Sequence, residues 1–268
     1  MTFILTELSD LGIIMAADSS ETVTDSNCEQ FQECNKIIYF PELNIGISTW
    51  GDAIVENKGI NDWLNEKIKE FKSDKNGSNL KNKYLEDVSN FIAEKLNIAF
   101  PKGESVLGLH ITGFSRHNSE FRPGIFHVHN HNEKDKQEIS NCLTPEHRNG
   151  QPKKFFAEKT KPILNIREAL HLRNGIYKEF ALFFPALQGV KQSFVNIIRS
   201  KYGSKIDLSK LDVLKIQAES VANWVRLMCN TFSEAGILPY VGKNVKVLLI
   251  QENKYRKFVL NEFSEEKW

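Results

Sequence analysis

Cysteine is scarce in this chain, and its spacing excludes two kinds of chemistry. The four residues, Cys28, Cys34, Cys142 and Cys229, form no C-x-x-C pair. A thioredoxin-like redox motif and a zinc site built on paired cysteines are therefore both missing, and free thiols in a reducing compartment account for the four. An excess of one charge is missing too. The 35 basic and 34 acidic residues leave a net charge of +1, which gives no general attraction to nucleic acid or to an acidic membrane surface. Basic and aromatic residues do not interleave into a stacking platform, so nucleic acid is not an expected partner. A basic-then-apolar leader is absent. No apolar run is long enough to span a bilayer, and Phe3-Ile4-Leu5 is broken by Thr6 and Glu7. These absences predict a cytoplasmic protein without a membrane partner.

What is present is an ordinary globular composition, 41% apolar and 26% charged over 268 residues, enough for one large domain or two. The first fifty residues are rich in strand signals. Phe3 to Leu8 and Ile13 to Ala17 form apolar runs around a turn at Ser9-Asp10-Leu11-Gly12. A polar stretch from Ser19 to Asn35 precedes strands at Lys36 to Phe40 and Leu43 to Thr49, with a turn at Pro41-Glu42. From about Asp52 the period becomes helical through Ile54, Asn57, Ile60, Trp63, Leu64, Ile68 and Phe71, and again through Tyr84, Val88, Phe91, Ile92 and Leu96.

A strand hairpin follows at Val106 to Phe114 and Phe121 to His129. Residues 130–170 are polar and carry no clear pattern. Helices are predicted over Tyr177 to Ser200 and Leu211 to Phe232, the second burying Val213, Ile216, Val221, Trp224, Val225 and Met228. Strands close the chain at Val245 to Ile250 and Tyr255 to Leu260. The order of strands, two helices, strands, two helices, strands predicts an α+β fold with helical layers packed on two sheets.

Thr2 directly follows Met1, and methionine before a small residue is commonly trimmed. A mature Thr2 would carry a hydroxyl and a free α-amine, a nucleophile and a base on one residue. With Thr2, the segment Gly12-Ile13-Ile14-Met15-Ala16-Ala17-Asp18-Ser19 resembles the G-V-I-V-A-A-D-S segment of proteasome β-subunits, members of the N-terminal-nucleophile (Ntn) hydrolase superfamily. Lys36-Ile37-Ile38 resembles that family's K-V-I, given a two-residue insertion before it. Leu43 to Ala53 is similar to the strand and helix start that supply the oxyanion hole and first specificity pocket. Leu109 to Phe114 and Gly124 to Val128 resemble the central hairpin. The likeness is clear over the first fifty residues and reasonable over 105–130. It holds only in outline over the C-terminal third.

The resemblance implies a four-layer αββα sandwich in a single domain over 1–268, with an enlarged region from about 130 to 268. It implies a threonine-type hydrolase of peptide or amide bonds that needs no cofactor and no metal. Thr2 Oγ would attack, its α-amine would accept the proton, and Lys36, oriented by Asp18, would stand beside both as a cation. Thr22, Ser48 and Trp50 fall at positions that contact substrate, and backbone N–H groups near Trp50 would hold the oxyanion. Its partners would be a peptide or protein substrate, further copies of the chain in a ring or spiral, and an unfoldase or adaptor.

The chain departs from the family pattern in several places. Trp50 replaces a glycine, Leu238 and Val241 replace a supporting aspartate and serine, and Asn174-Gly175 is the best remnant of a serine-glycine loop. A catalytically inactive structural or binding subunit is the alternative reading, and retention of Met1 would favour it. One further cluster stands out. In His127-Val128-His129-Asn130-His131, alternate imidazoles share a strand face and are candidates for a transition metal, although a solvated strand end suits the run better.

Overall fold

The computed structural model describes residues 3–9, 12–25, 28–74, 84–102, 105, 107–117, 120–130, 154–159, 170–175, 213–234, 244–251, 254–260 and 265–267. The elements are β1 (Phe3–Ser9), β2 (Gly12–Asp18), β3 (Ser20–Asp25), β4 (Cys28–Glu33), β5 (Ile37–Phe40), β6 (Ile45–Gly51), β7 (Ile54–Val55), β8 (Lys58–Gly59), α1 (Ile60–Asp74) and α2 (Tyr84–Ala99). They continue with β9 (Leu107–His117), β10 (Glu120–His129), β11 (Phe156–Lys159), β12 (Leu170–Gly175), α3 (Val213–Glu234), β13 (Val245–Gln251), β14 (Lys254–Leu260) and β15 (Glu265–Lys267).

One sheet runs β12-β1-β2-β13-β14-β15 and the other β11-β10-β9-β6-β5, and neighbouring strands are antiparallel throughout. Every residue of β1 and β2 is buried, which explains why both read as nearly continuous apolar runs rather than alternating ones. Between the sheets lie Ile4, Leu8, Ile13 and Met15 from one side and Ile37, Tyr39, Trp50, Phe114 and Ile125 from the other. Phe3, Leu5, Ile14 and Ala16 face the opposite way, onto Leu214, Ala218, Val221 and Val225 of α3. Ile45, Ile47, Leu109 and Ile111 face α1 and α2, where Trp63, Leu64, Ile68, Val88, Ile92 and Leu96 recur at helical spacing. The architecture is an αββα sandwich of the α+β class.

The turn into β2 depends on Gly12. Its φ is +146°, and a Cβ there would lie 2.6 Å from the Ile250 carbonyl of β13, so the ladder that carries Asp18 starts at a position only glycine tolerates.

Several expected elements take a different form. The helix expected from Asp52 starts at Ile60, because Glu56 and Asn57 have φ of 50° and 61° and turn β7 back on β8. The polar stretch after Asp18 is a hairpin, β3 with β4, built largely from polar residues that give little apolar alternation. On α3 the expected Val221, Trp224 and Val225 are buried together with Leu214, Ala218 and Ala222, while Ile216 is exposed. Small alanines let the helix approach β2, and an alanine-lined face gives a weak apolar signal. β11, β12 and β15 lack strong sequence periodicity and were not expected. The helix expected over Tyr177 to Ser200 lies outside the described residues. No helix among the described residues is long and apolar enough to cross a membrane.

Candidate active site

Asp18 ends β2, and the β1–β2 register (Ile4 opposite Ala17) brings it beside the first described residue of β1. Its two oxygens have separate partners. Oδ1 accepts the Phe3 N–H at 2.7 Å, and Oδ2 accepts Lys36 Nζ at 2.8 Å. The carboxylate side chain is 0% exposed and that of Lys36 7%. Desolvating two charges costs several kcal/mol each, so a buried pair of this kind contributes little net stability even when its geometry is good. Thr2, the expected nucleophile, lies outside the described residues; the Phe3 N–H held by Asp18 belongs to the peptide bond that joins Thr2 to β1.

Lys36 sits at the end of an irregular segment, 34–36, that leads into β5. The segment is fixed from outside. Cys34 N–H donates to Ser19 O at 2.8 Å, and Thr49 N–H donates to Lys36 O at 3.0 Å. The first bond ties the segment to the residue after Asp18, and the second ties it to β6. Burial pushes the Cys229 thiol of α3 up, Asp18 adds to the rise, and Lys36 opposes it. The thiol therefore stays protonated and is no competing nucleophile.

The three residues expected to meet substrate lie on β3 and β6. Thr22 lies in β3 opposite Phe31. Ser48 and Trp50 lie on β6 and are buried, Ser48 opposite His110 and Trp50 opposite Gly108. Ser48 Oγ has no hydrogen-bond partner among the described residues. The Trp50 indole covers Gly108 so closely that a Cβ there would come within 2.2 Å of its ring atoms. The ring is thus turned into the sandwich, and the glycine opposite makes room for it. Asn174 and Gly175 end β12, opposite Ile4 and Phe3, so they flank the start of β1 as strand rather than loop. Leu238 and Val241 lie outside the described residues.

The histidine run is not a solvated strand end. His127 and His129 stack at 4.2 Å between centroids, and His110 stands 5.3 Å from His127. His110 Nδ1 and Thr6 Oγ1 share a hydrogen bond of 3.0 Å across the two sheets, and His129 Nε2 meets Glu158 Oε2 at 3.2 Å. Burial, with a smaller contribution from His129, pushes His110 down to about 3, so it is neutral at neutral pH. His131 lies outside the described residues. Among the described residues no group of histidines, cysteines and carboxylates is arranged to hold a metal ion.

No protein-family model and no curated protein matches the chain. Among solved structures, the chain matches the Anbu (Gly-1) mutant from Hyphomicrobium sp. strain MC1 at 11% identity and a TM-score of 0.51, over 98% of this chain and 89% of that one. The chain shares its fold with Anbu. At 11% identity the match to Anbu carries architecture and no residue roles.

Sequence reasoning missed two groups that hold the Lys36 segment in place, Asn61, which donates to Asn35 O, and Lys246, which donates to Cys34 O. Lys246 alone left a trace, as a single cation in the otherwise apolar strand Val245-Lys246-Val247-Leu248.

Proposed function

We propose that the chain is a threonine-type Ntn hydrolase of peptide or amide bonds, with Thr2 as nucleophile once Met1 is removed. The observation that carries this reading is the buried Asp18–Lys36 pair, bonded at 2.8 Å, whose carboxylate also holds the Phe3 N–H. The pair joins a cation to β1, the strand that follows Thr2 in sequence, and a buried pair of this kind contributes little net stability. The Thr2 α-amine takes the hydroxyl proton as Oγ attacks the carbonyl carbon, and that proton then passes to the leaving amine. Lys36 favours the neutral amine by its charge, and N–H groups of β6 near Trp50 receive the oxyanion. Water next attacks the ester on Thr2 and regenerates the hydroxyl.

Thr22, Ser48 and Trp50 are the proposed substrate-side residues, in one domain that assembles with further copies in the cytoplasm and receives unfolded substrate from an unfoldase or adaptor. N-terminal sequencing combined with hydrolysis of an unfolded protein tests this reading. A chain that begins at Thr2 and loses turnover on Thr2→Ala supports it; equal turnover by Thr2→Ala overturns it. One observation favours an inactive binding subunit instead. The Trp50 indole fills space inside the sandwich at the strand proposed to bind the oxyanion.

A further inference from the structure

Three successive carbonyls of the segment that delivers Lys36 are each taken by a different element. Cys34 O accepts Lys246 Nζ of β13 at 3.2 Å. Asn35 O accepts Asn61 Nδ2 of α1 at 2.7 Å, and Lys36 O accepts the Thr49 N–H of β6 at 3.0 Å. The segment has no strand ladder of its own, so these bonds define where the Lys36 side chain starts. Lys246 stands out because it is charged and distant in sequence. It lies opposite Ala17 in the β2–β13 ladder, with Val245 opposite Asp18. Its ammonium also reaches Glu33 at 3.8 Å, but the Glu33 side chain is 57% exposed, so that ion pair contributes little. The charge-assisted bond to the Cys34 carbonyl is the stronger tie.

We propose that Lys246 is a positioning residue for Lys36, tethering the Lys36 segment to β13, the strand that also borders Asp18. Both halves of the Asp18–Lys36 pair then hang from one strand, and a displacement of either is resisted by β13. Lys246 itself touches no reacting atom. The catalytic consequence rests on the hydrolase reading above; the structural consequence does not.

Lys246→Met removes the donor and keeps the stem. Its kcat is expected to fall about 10- to 100-fold, as for a small misplacement of a catalytic group, with KM unchanged, and Lys246→Arg restores most of the loss. Hydrogen exchange supplies the second readout. Amides from Cys34 to Ile37 exchange faster in Lys246→Met, with no change elsewhere in the sheets, and Lys246→Arg reverses this. Wild-type kcat and wild-type exchange in Lys246→Met overturn the proposal, as does uniformly faster exchange with KM and kcat changed together. A wild-type protein without turnover and without an adduct on Thr2 after epoxyketone treatment defeats the hydrolase reading instead. Exchange at Cys34 to Ile37 then decides the tether alone: local acceleration upholds it, and none overturns it. Should Lys246→Met not fold, Lys246→Leu, which also lacks a donor, carries the same readouts.

Discussion

Asp18 and Lys36, eighteen residues apart in sequence, meet at 2.8 Å with both side chains almost wholly buried. The spare oxygen of the carboxylate is spent on the Phe3 N–H at 2.7 Å. The cation, the carboxylate and the start of β1 therefore form one unit, and each of its links can be broken separately.

Removing one charge leaves the other buried. Asp18→Asn keeps an acceptor for Phe3 but strands Lys36, and is expected to cost about 3–5 kcal/mol of stability. Lys36→Met added to it recovers part of that loss, so the two changes are non-additive by about 0.5–3 kcal/mol. Urea denaturation of the two single variants and the double variant measures this. Strict additivity contradicts the pair as a coupled unit. On activity, Lys36→Met is expected to lower turnover about 100-fold or more.

The fit of Trp50 against Gly108 leaves no room for a methyl group. Gly108→Ala is expected to cost about 1–3 kcal/mol through overpacking, and the cost shrinks in a Trp50→Leu background, where the indole is gone. Thermal unfolding of the four proteins checks it; the same cost in both backgrounds contradicts the contact.

Much of this was legible in the sequence, for physical reasons. β1 and β2 are buried on both faces, so their apolar runs stand out, and the helical stripes on α1 from Ile60 and on α2 report burial on one side. Asp18 and Lys36 were found through motif spacing, and the fold brings them together. What stayed hidden depends on partners remote in sequence. The Trp50–Gly108 contact, the Thr6–His110 bond and the Lys246 tether each join residues 58 or more positions apart. The alternation of β3 and β4 is carried by polar residues, and β11 and β12 are short, so neither pair gives a strong periodic signal. The helix α3 was legible through Val221, Trp224 and Val225, whereas Ala218 and Ala222, which share its buried face, are too small to mark it.

Buried His110 makes stability depend on pH. The folded state pushes His110 down to about 3, whereas the unfolded chain takes up a proton near pH 6.5. Its folded value lies below its unfolded one, so the unfolded state binds more protons between the two. Stability is complete above about pH 6.5 and falls as pH drops toward 3, by at most about 1.4 kcal/mol per pH unit from this residue. Denaturation of wild type and His110→Leu at pH 7.5, 6 and 5 tests this. The variant is expected to show a shallower decline, and an identical decline removes His110 as its source.

The most direct test concerns Thr2 itself. An epoxyketone closes into a ring only on a residue that carries both a hydroxyl and a free α-amine, so it reads the proposed nucleophile and the proposed base together. Treated protein analysed by peptide mass spectrometry is expected to carry the adduct on an N-terminal Thr2. The Lys36→Met variant is expected to react far more slowly. A chain that retains Met1, or one that begins at Thr2 and stays unmodified while peptide hydrolysis continues, contradicts the account.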